Sequence, residues 1–236
     1  MKNDLLKKSL DNLSINCSNE IIDQFDHYYD LLIDWNKKIN LTAITEYDDV
    51  ISKHFIDSIL VSSFVDLNGK KIIDIGTGAG FPGIPIKILF PETELVLLDS
   101  LNKRVRFLEE VINKLSLKNV RIIHGRAEDL AHNKELRASF DIALSRAVAN
   151  LSTLSEYCIP FIKKGGLFVS YKSGNADEEI KDAENAVGIL GSRIISVNDC
   201  ILPETDILRK FVIIEKINDV SNKYPRRAGT PAKDPL

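Results

Sequence analysis

The chain has 236 residues, of which 44% are hydrophobic, and its formal net charge is −3. This length and apolar content allow one α/β domain with an extension and a well-buried core. The slightly acidic balance excludes a uniformly basic nucleic-acid-binding protein, so any RNA contact must come from local clusters of lysine and arginine.

The cysteines and the N-terminal sequence indicate the cellular compartment. Cys17, Cys158 and Cys200 are far apart and lack metal-ligand spacing, which favours buried thiols in a reducing compartment. The stretch MKNDLLKKSLDNL has no apolar signal-peptide core, and no segment approaches 18 apolar residues. We therefore expect a cytoplasmic protein with no metal, no membrane contact and no evident obligate protein partner.

The first 66 residues are typical of helices. In Glu20–Asn36 the apolar residues recur at helical spacing, and Ser18 is a candidate N-cap. Asp48–Phe64 has a similar pattern. We predict an N-terminal helical extension over residues 1–66.

Strands and helices alternate from Lys70 onward. The predicted strands are Lys70–Ile75, Glu94–Leu98, Val120–His124, Phe140–Leu144 and, after a turn at Lys164–Gly166, Leu167–Tyr171. The predicted helices are Phe81–Phe90, Leu101–Leu115 and a segment around Leu151–Ile159. This alternation indicates a right-handed, doubly wound, mostly parallel sheet of the Rossmann-like α/β class.

The end of the chain departs from that alternation. Arg193–Val197 and Ile207–Lys216 read as two strands with no helix between them, which predicts an antiparallel hairpin at the sheet edge. We therefore place the sheet domain at residues 67–217. Residues 218–236 form a basic, proline-containing C-terminal tail without periodicity.

The run KKIIDIGTGAGFPG at Lys70–Gly83 reads as a strand, a glycine turn and a helix start. It satisfies the dinucleotide pattern literally, but counted from Gly76, which leaves the strand, the third glycine position holds Phe81. Asp74 lies two residues before Gly76 and gives D-x-G-x-G-x-G through Gly78 and Gly80. That arrangement resembles the first motif of class I S-adenosylmethionine (SAM)-dependent methyltransferases.

Two further acids follow predicted strands, where ligands bind in such sheets. Asp99 ends the second strand and could bind both ribose hydroxyls, although a nicotinamide cofactor would need the same acid and a helix cap would explain it too. Ala127 and Glu128 follow the third strand, where class I methyltransferases place a segment against adenine. An acidic helix cap is the alternative for Glu128.

Ser145-Arg146-Ala147 ends the fourth strand, at a position that is catalytic in many methyltransferases. The chain lacks the Asn/Asp-Pro-Pro-aromatic turn of exocyclic-amine methyltransferases, and no cysteine lies in a strand-end motif suited to carbon-5 methylation. Arg146 is always charged and cannot act as a base. It could bind a cofactor carboxylate, an RNA phosphate or an ordinary ion-pair partner.

Five motifs together resemble one family, the ribosomal small subunit methyltransferase G family, over nearly the whole chain. They are NKKINLT at residues 36–42, HFIDS at 54–58, GTGAGFPG, SRA and YPRR at 224–227. The resemblance implies methyl transfer from SAM to N7 of a guanosine in the 530 loop of bacterial 16S rRNA, with S-adenosylhomocysteine as the second product. It implies the small ribosomal subunit or its precursor as partner. The cofactor contacts implied by the family or by class I analogy are Asp74, Gly76, Gly78, Gly80, Phe81, Asp99, Ala127, Glu128 and Arg146.

Guanine N7 carries a lone pair and no proton, so this reaction needs no general base. We assign no catalytic acid or base and expect Arg146 to act by positioning. The candidate RNA contacts are Lys37, Lys38, Lys53, Lys172, Arg226 and Arg227, with base stacking on Tyr171 or Tyr224. The alternatives are a SAM-dependent methyltransferase with a small-molecule or protein substrate, an NAD(P)-dependent reductase, and a non-enzymatic binding module.

Overall fold

A computed structural model describes residues 3–236, so the first two residues of the predicted extension lie outside the described residues. Its centre is a seven-stranded sheet with the order β3-β2-β1-β4-β5-β7-β6. The strands are β1 (Lys71–Ile75), β2 (Glu94–Asp99), β3 (Val120–His124), β4 (Phe140–Arg146), β5 (Ile162–Ser173), β6 (Ser192–Ile201) and β7 (Leu208–Lys216).

Helices cover both faces of this sheet. Those before β1 are α1 (Asp4–Asn12), α2 (Asn19–Asn36), α3 (Tyr47–Val50), a π-helical turn (Ile51–Ile56), α4 (Asp57–Ile59) and a 3₁₀ turn (Leu60–Ser63). Those within and after the sheet are α5 (Gly83–Leu89), α6 (Asn102–Lys114), α7 (Ala127–Leu130), α8 (Leu151–Cys158), a 3₁₀ turn (Ile159–Phe161), α9 (Asp177–Asp182), α10 (Glu184–Ile189) and α11 (Thr230–Lys233).

The first five strands are parallel, and β1 lies between β2 and β4. The strand order reverses beside β1, which is where a doubly wound sheet opens a crevice at its carboxyl edge. The last two strands confirm the predicted edge hairpin, because β7 pairs antiparallel with both β5 and β6. The fold is therefore the expected mixed α/β sheet.

Two hydrophobic layers sandwich the sheet, because successive side chains of a strand point to opposite faces. Ile72 of β1 packs in the same cluster as Phe25 and Leu32 of α2. Ile73 packs in the other cluster, with Leu154 of α8 and Val187 of α10. The N-terminal helices thus cover one face of the sheet and share its core.

Helix starts in the N-terminal part follow the sequence signals. Ser18 caps α2, since its Oγ accepts a hydrogen bond from the Ile21 amide at 3.3 Å. The predicted helical segment Asp48–Phe64 exists, but its middle is a π-helical turn rather than regular α-helix. Such turns are frequent at functional sites because they redirect side chains.

Two predicted element boundaries differ from the structure, and two short helices were not predicted. The turn predicted at Lys164–Gly166 lies inside β5 as a bulge, where Gly165 has a φ of +77° and the register with β4 shifts. The helix expected from Phe81 begins at Gly83. The two six-residue helices α9 and α10 were not predicted, because they are too short to show a helical period.

Among residues 3–236, no helix combines the length and apolarity needed to cross a bilayer.

Candidate functional site

The glycine turn follows the carboxyl end of β1, and its three glycines have a backbone conformation that other residues rarely adopt. Gly76, Gly78 and Gly80 have φ values of +72°, +61° and +93°. Space is limited too, since a Cβ on Gly76 would lie 2.6 Å from a methyl group of Val148. Both the backbone and the packing therefore require glycine at Gly76.

Asp74 supports this turn from below. It is fully buried, and its Oδ2 accepts hydrogen bonds from the Thr77 hydroxyl at 2.6 Å and the Gly83 amide at 2.9 Å. Its Oδ1 has no hydrogen-bond partner among the described residues. Burial raises the pKa of Asp74 to about 6.

Asp99 joins the glycine turn to the end of β2. Its Oδ2 accepts a hydrogen bond from the Gly78 amide at 2.9 Å, and its Oδ1 accepts one from the Leu101 amide at 2.9 Å. Arg104 Nη1 lies 3.3 Å from Oδ2. The carboxylate is thus held at the position where the sequence predicts a ribose contact.

A cavity of about 370 Å³ lies over the turn, and we name it the central cavity. It is lined by Gly76, Gly78, Asp99 and Arg146 together with Thr42 and His54 of the N-terminal extension. A second cavity of about 310 Å³, the β3 cavity, adjoins it at Gly76, Ser100 and Val148. Its walls include Ala127, Glu128, Tyr157 and Gly229. Most of the predicted cofactor contacts therefore line these two adjoining cavities, whereas Asp74 and Gly80 line neither.

Glu128 stands in the wall of the β3 cavity and is held from the C-terminal tail. Its Oε1 accepts a hydrogen bond from the Gly229 amide at 3.0 Å. Burial, followed by the charge and the hydrogen bond of Glu128, raises the pKa of Tyr157 to about 12. The Tyr157 hydroxyl therefore stays protonated beside this carboxylate at neutral pH.

Arg146, the last residue of β4, is bound by the N-terminal extension. Its Nη1 lies 2.7 Å from Asp57 Oδ2, and its Nη2 lies 3.2 Å from His54 Nδ1. Asp57 also accepts a hydrogen bond from Arg209 Nε of β7 at 2.6 Å. This buried carboxylate therefore joins two arginines from strands on either side of β5.

The hydrogen bonds of His54 define its tautomer. A guanidinium can only donate, so Nδ1 must accept from Arg146, and the proton sits on Nε2, which lies 2.7 Å from Thr42 Oγ1. Burial and the charge of Arg146 lower the pKa of His54 to about 4. His54 is therefore neutral at physiological pH and adds no positive charge to the site.

Phe81 connects the glycine turn with the extension through aromatic contacts. Its ring is stacked on His54 with centroids 4.6 Å apart, and the guanidinium carbon of Arg146 lies 5.1 Å from the ring centroid. Tyr28 of α2 also packs against Phe81, and its hydroxyl donates to the Ala79 carbonyl. Phe81 lines the central cavity as predicted for a cofactor contact, and it anchors that cavity to α2.

A third cavity of about 490 Å³, the basic cavity, adjoins the central cavity at His54, Arg146 and Ala147. Lys53, Lys172 and Arg209 also line it. Lys53 pairs with Asp49 at 2.7 Å, and Lys172 pairs with Glu179 at 2.6 Å. Two of the predicted RNA contacts thus lie next to the predicted cofactor contacts.

The other predicted RNA contacts lie elsewhere. Lys37 is exposed and pairs with Asp34 at 2.9 Å, and the Lys38 ammonium lies 5.8 Å from the centroid of Trp35. Arg227 is exposed, whereas Arg226 pairs with the buried Glu156 at 2.8 Å.

The predicted stacking platforms are not accessible. Tyr171 is 4% exposed and its hydroxyl donates to the Ser58 carbonyl, while Tyr224 is 7% exposed. Tyr171 lies in the wall of the basic cavity, but so little of its side chain is exposed that it offers no open face for stacking, and the same is true of Tyr224. The sequence could not show this, because both rings are buried by distant parts of the chain.

Thr42, His54 and Asp57 had no predicted role, although all three lie in motifs that carry the family resemblance. Their proximity to Arg146 depends on the packing of the extension against β4. Arg209 has no local signal beyond a charge within an apolar strand.

Solved structures with the same fold include M. jannaschii TYW2 in complex with AdoMet, with a TM-score of 0.56, 14% identity and coverage of 74% of this chain and 80% of that one. The precorrin-6y C5,15-methyltransferase of Geobacter metallireducens gives a TM-score of 0.50, 13% identity and coverage of 76% and 92%. These similarities show the Rossmann-like fold of class I methyltransferases.

Sequence comparison is more specific. The ribosomal RNA small subunit methyltransferase G of Clostridium perfringens strain 13 is 49% identical over 234 residues, which are 99% of this chain and 98% of the relative. That of Clostridium kluyveri is 51% identical over 226 residues, or 95% and 94%. The sequence model of rRNA small subunit methyltransferase G matches residues 21–208. The chain therefore belongs to the rRNA small subunit methyltransferase G family.

Proposed function

We propose that this protein transfers a methyl group from SAM to N7 of a guanosine in the 530 loop of bacterial 16S rRNA. The observation that carries the proposal is the chain of three adjoining cavities at the carboxyl edge of the sheet. The glycine turn lies at its centre, acidic residues of β2 and α7 lie on one side, and a basic cavity lies on the other. The names of the family and of its relatives support rRNA as the substrate.

The residues present fit SAM. Gly76 and Gly78 line the central cavity, and a Cβ on Gly78 would meet only a backbone oxygen at 3.9 Å, so the turn leaves room there for a nucleoside-linked ligand. Asp74 keeps an unpartnered buried oxygen beneath the turn. Asp99 would hold the ribose, and Ala127 and Glu128 would hold the adenine. When bound, SAM supplies a methyl group activated by its sulfonium.

Methylation of guanine N7 requires the protein to position the two reactants but not to remove a proton. Guanine N7 offers a lone pair without a proton, so no side chain has to remove one. Orienting two bound reactants is worth about 7–11 kcal/mol of barrier. The neutral His54 and the ion-paired Asp57 match this requirement, since neither is arranged as a free base.

The charge of the site suits a cationic product. Methylation leaves a positive charge on the guanine, which a free guanidinium nearby would oppose. Asp57 pairs with Arg146 at 2.7 Å and Arg209 at 2.6 Å, and this partly neutralises both. We infer that Arg146 positions the cofactor or an RNA phosphate and does not contact the methylated ring.

We propose that the basic cavity receives the target nucleotide, since it adjoins the central cavity and carries Lys53 on its wall. Lys37, Lys38 and Arg227 would bind flanking phosphates from the surface. Lys172 and Arg226 already pair with carboxylates, so an RNA contact would have to share or replace those partners.

Labelled SAM tests the proposal directly. Small ribosomal subunits that lack the modification, naked 16S rRNA and DNA are incubated with the enzyme, and the labelled nucleoside is identified by mass and retention. We expect label in rRNA as 7-methylguanosine. Label in a small metabolite or a protein with inert rRNA would instead support a methyltransferase with another substrate.

A further inference from the structure

We propose that the C-terminal segment, residues 220–236, is part of the cofactor site and holds Glu128 so that its carboxylate recognises the amino group of adenine. This inference rests on the proposed use of SAM. It gives the segment a role in cofactor selectivity that is separate from any contact with RNA.

One anchor of the C-terminal segment is an arginine bound to α8. Arg226 donates from Nη2 to Glu156 Oε2 at 2.8 Å and from its backbone amide to Oε1 at 2.6 Å. Glu156 is fully buried, so this pairing replaces the water that the carboxylate lost on folding. The Thr153 hydroxyl adds a hydrogen bond to the Pro231 carbonyl at 2.9 Å.

A second anchor binds the beginning of the segment. The Arg137 guanidinium donates to the carbonyls of Tyr224 and Val220, each at 2.9 Å. His132 Nε2 lies 2.9 Å from the Pro225 carbonyl, which can only accept, so this nitrogen carries the proton. Two independent anchors thus place the segment beside α7 and α8.

Between these contacts, Gly229 reaches the β3 cavity. Its φ is +84°, and its amide donates to Glu128 Oε1 at 3.0 Å. Tyr157 of α8 approaches the same carboxylate with a hydroxyl that stays protonated. Gly229, Glu128 and Tyr157 all line the cavity, so the segment supplies part of its wall.

The chemistry of this wall predicts which base it accepts. A carboxylate offers about four lone-pair sites, and the Gly229 amide uses one of them. The remaining capacity suits a donor such as the exocyclic amine of adenine. Hypoxanthine presents a carbonyl oxygen there, which would face the carboxylate acceptor to acceptor.

Calorimetry on the full chain tests the inference with two probes, S-adenosylhomocysteine and S-inosylhomocysteine. We expect the wild type to bind the adenine compound at least about tenfold more tightly, equivalent to about 1.4 kcal/mol. Tyr157→Phe and Arg226→Gln should both reduce this selectivity ratio by about threefold or more, because Glu128 loses its orientation.

Two control variants separate selectivity from general damage. Lys233→Ala removes an exposed charge of the same segment, and Val187→Ala destabilises the core cluster on the same face of the sheet. Both should retain the wild-type ratio. Tyr157→Phe and Arg226→Gln proteins that are folded and keep that ratio would overturn the inference while leaving the proposed function intact. A wild type that binds neither compound would overturn both.

Discussion

At the scale of single residues, we expect the largest effect from substituting Asp57, because its carboxylate pairs with both Arg146 and Arg209. In Asp57→Asn the amide oxygen can accept from only one guanidinium, and its NH₂ group faces the other. Breaking a buried ion pair costs about 3 kcal/mol or more of stability, and the methylation rate should fall as Arg146 loses its orientation. Chemical denaturation and single-turnover kinetics measure these effects. Asp66→Asn is the matched control, since its carboxylate is exposed and 3.8 Å from Lys70. Equal, small effects of both substitutions would contradict the role of Asp57.

His54 gives a pH dependence at the same scale. Its pKa in the folded protein is about 4, below the ordinary value of 6.5, so its contribution to stability is present above pH 6.5 and is lost as the pH falls toward 4. The free energy of unfolding should decrease by about 3 kcal/mol through this titration. Asp74 acts in the opposite direction, because its folded pKa of about 6 makes its contribution largest below pH 4 and removes it as the pH rises through 6.

The two titrations are separated by comparing variants with the wild type from pH 7 to pH 4. The stability of the wild type relative to His54→Gln should decrease on acidification, whereas its stability relative to Asp74→Asn should increase. Denaturation curves at each pH measure the differences. If the difference in free energy of unfolding between the wild type and His54→Gln does not change with pH, His54 is not buried as a neutral ring.

At the scale of elements, the glycine turn can be tested against another glycine with the same backbone requirement. A Cβ on Gly80 would lie 2.5 Å from Ile84 Cδ1 and 2.6 Å from the Tyr28 hydroxyl, whereas one on Gly165 would meet nothing within 4 Å. Both have positive φ, so Gly165→Ala should cost about 1 kcal/mol for strain. Gly80→Ala should cost about 1–3 kcal/mol more and should weaken SAM binding. Thermal unfolding and calorimetry measure both, and identical losses would contradict the packing argument.

Local pattern determined how much of each element could be predicted. β3 was predicted to the residue, since the β-branched residues Val120, Ile122 and Ile123 lie close together and Gly125 follows the strand directly. The bulge in β5 was not predicted, because two consecutive glycines, Gly165 and Gly166, are equally typical of a turn before a strand and of a bulge within one. The glycine turn was predicted because its chemistry is contained in consecutive residues.

At the scale of the whole molecule, the site joins parts that are distant in sequence. The extension brings Thr42, His54 and Asp57 to β4, and the C-terminal segment brings Gly229 to Glu128. These contacts join segments that are far apart in the sequence, so no local pattern indicates them. Thr42, His54, Asp57 and Gly229 therefore had no predicted role, although Glu128 was predicted as a cofactor contact. The predicted division at residues 66 and 217 stays a prediction, and the shared core and site show how closely the three parts depend on one another.

The central claim, that N7 of a guanosine accepts the methyl group, is tested most directly by replacing that one atom. Small subunits are reconstituted with rRNA in which the guanosines of the 530 loop are replaced by 7-deazaguanosine, which has a carbon at that position. Subunits with ordinary guanosine are the control, and methyl transfer from labelled SAM is measured for both. We expect 7-methylguanosine in the control and no label in the 7-deaza subunits. Equal labelling of the two would contradict N7 as the acceptor.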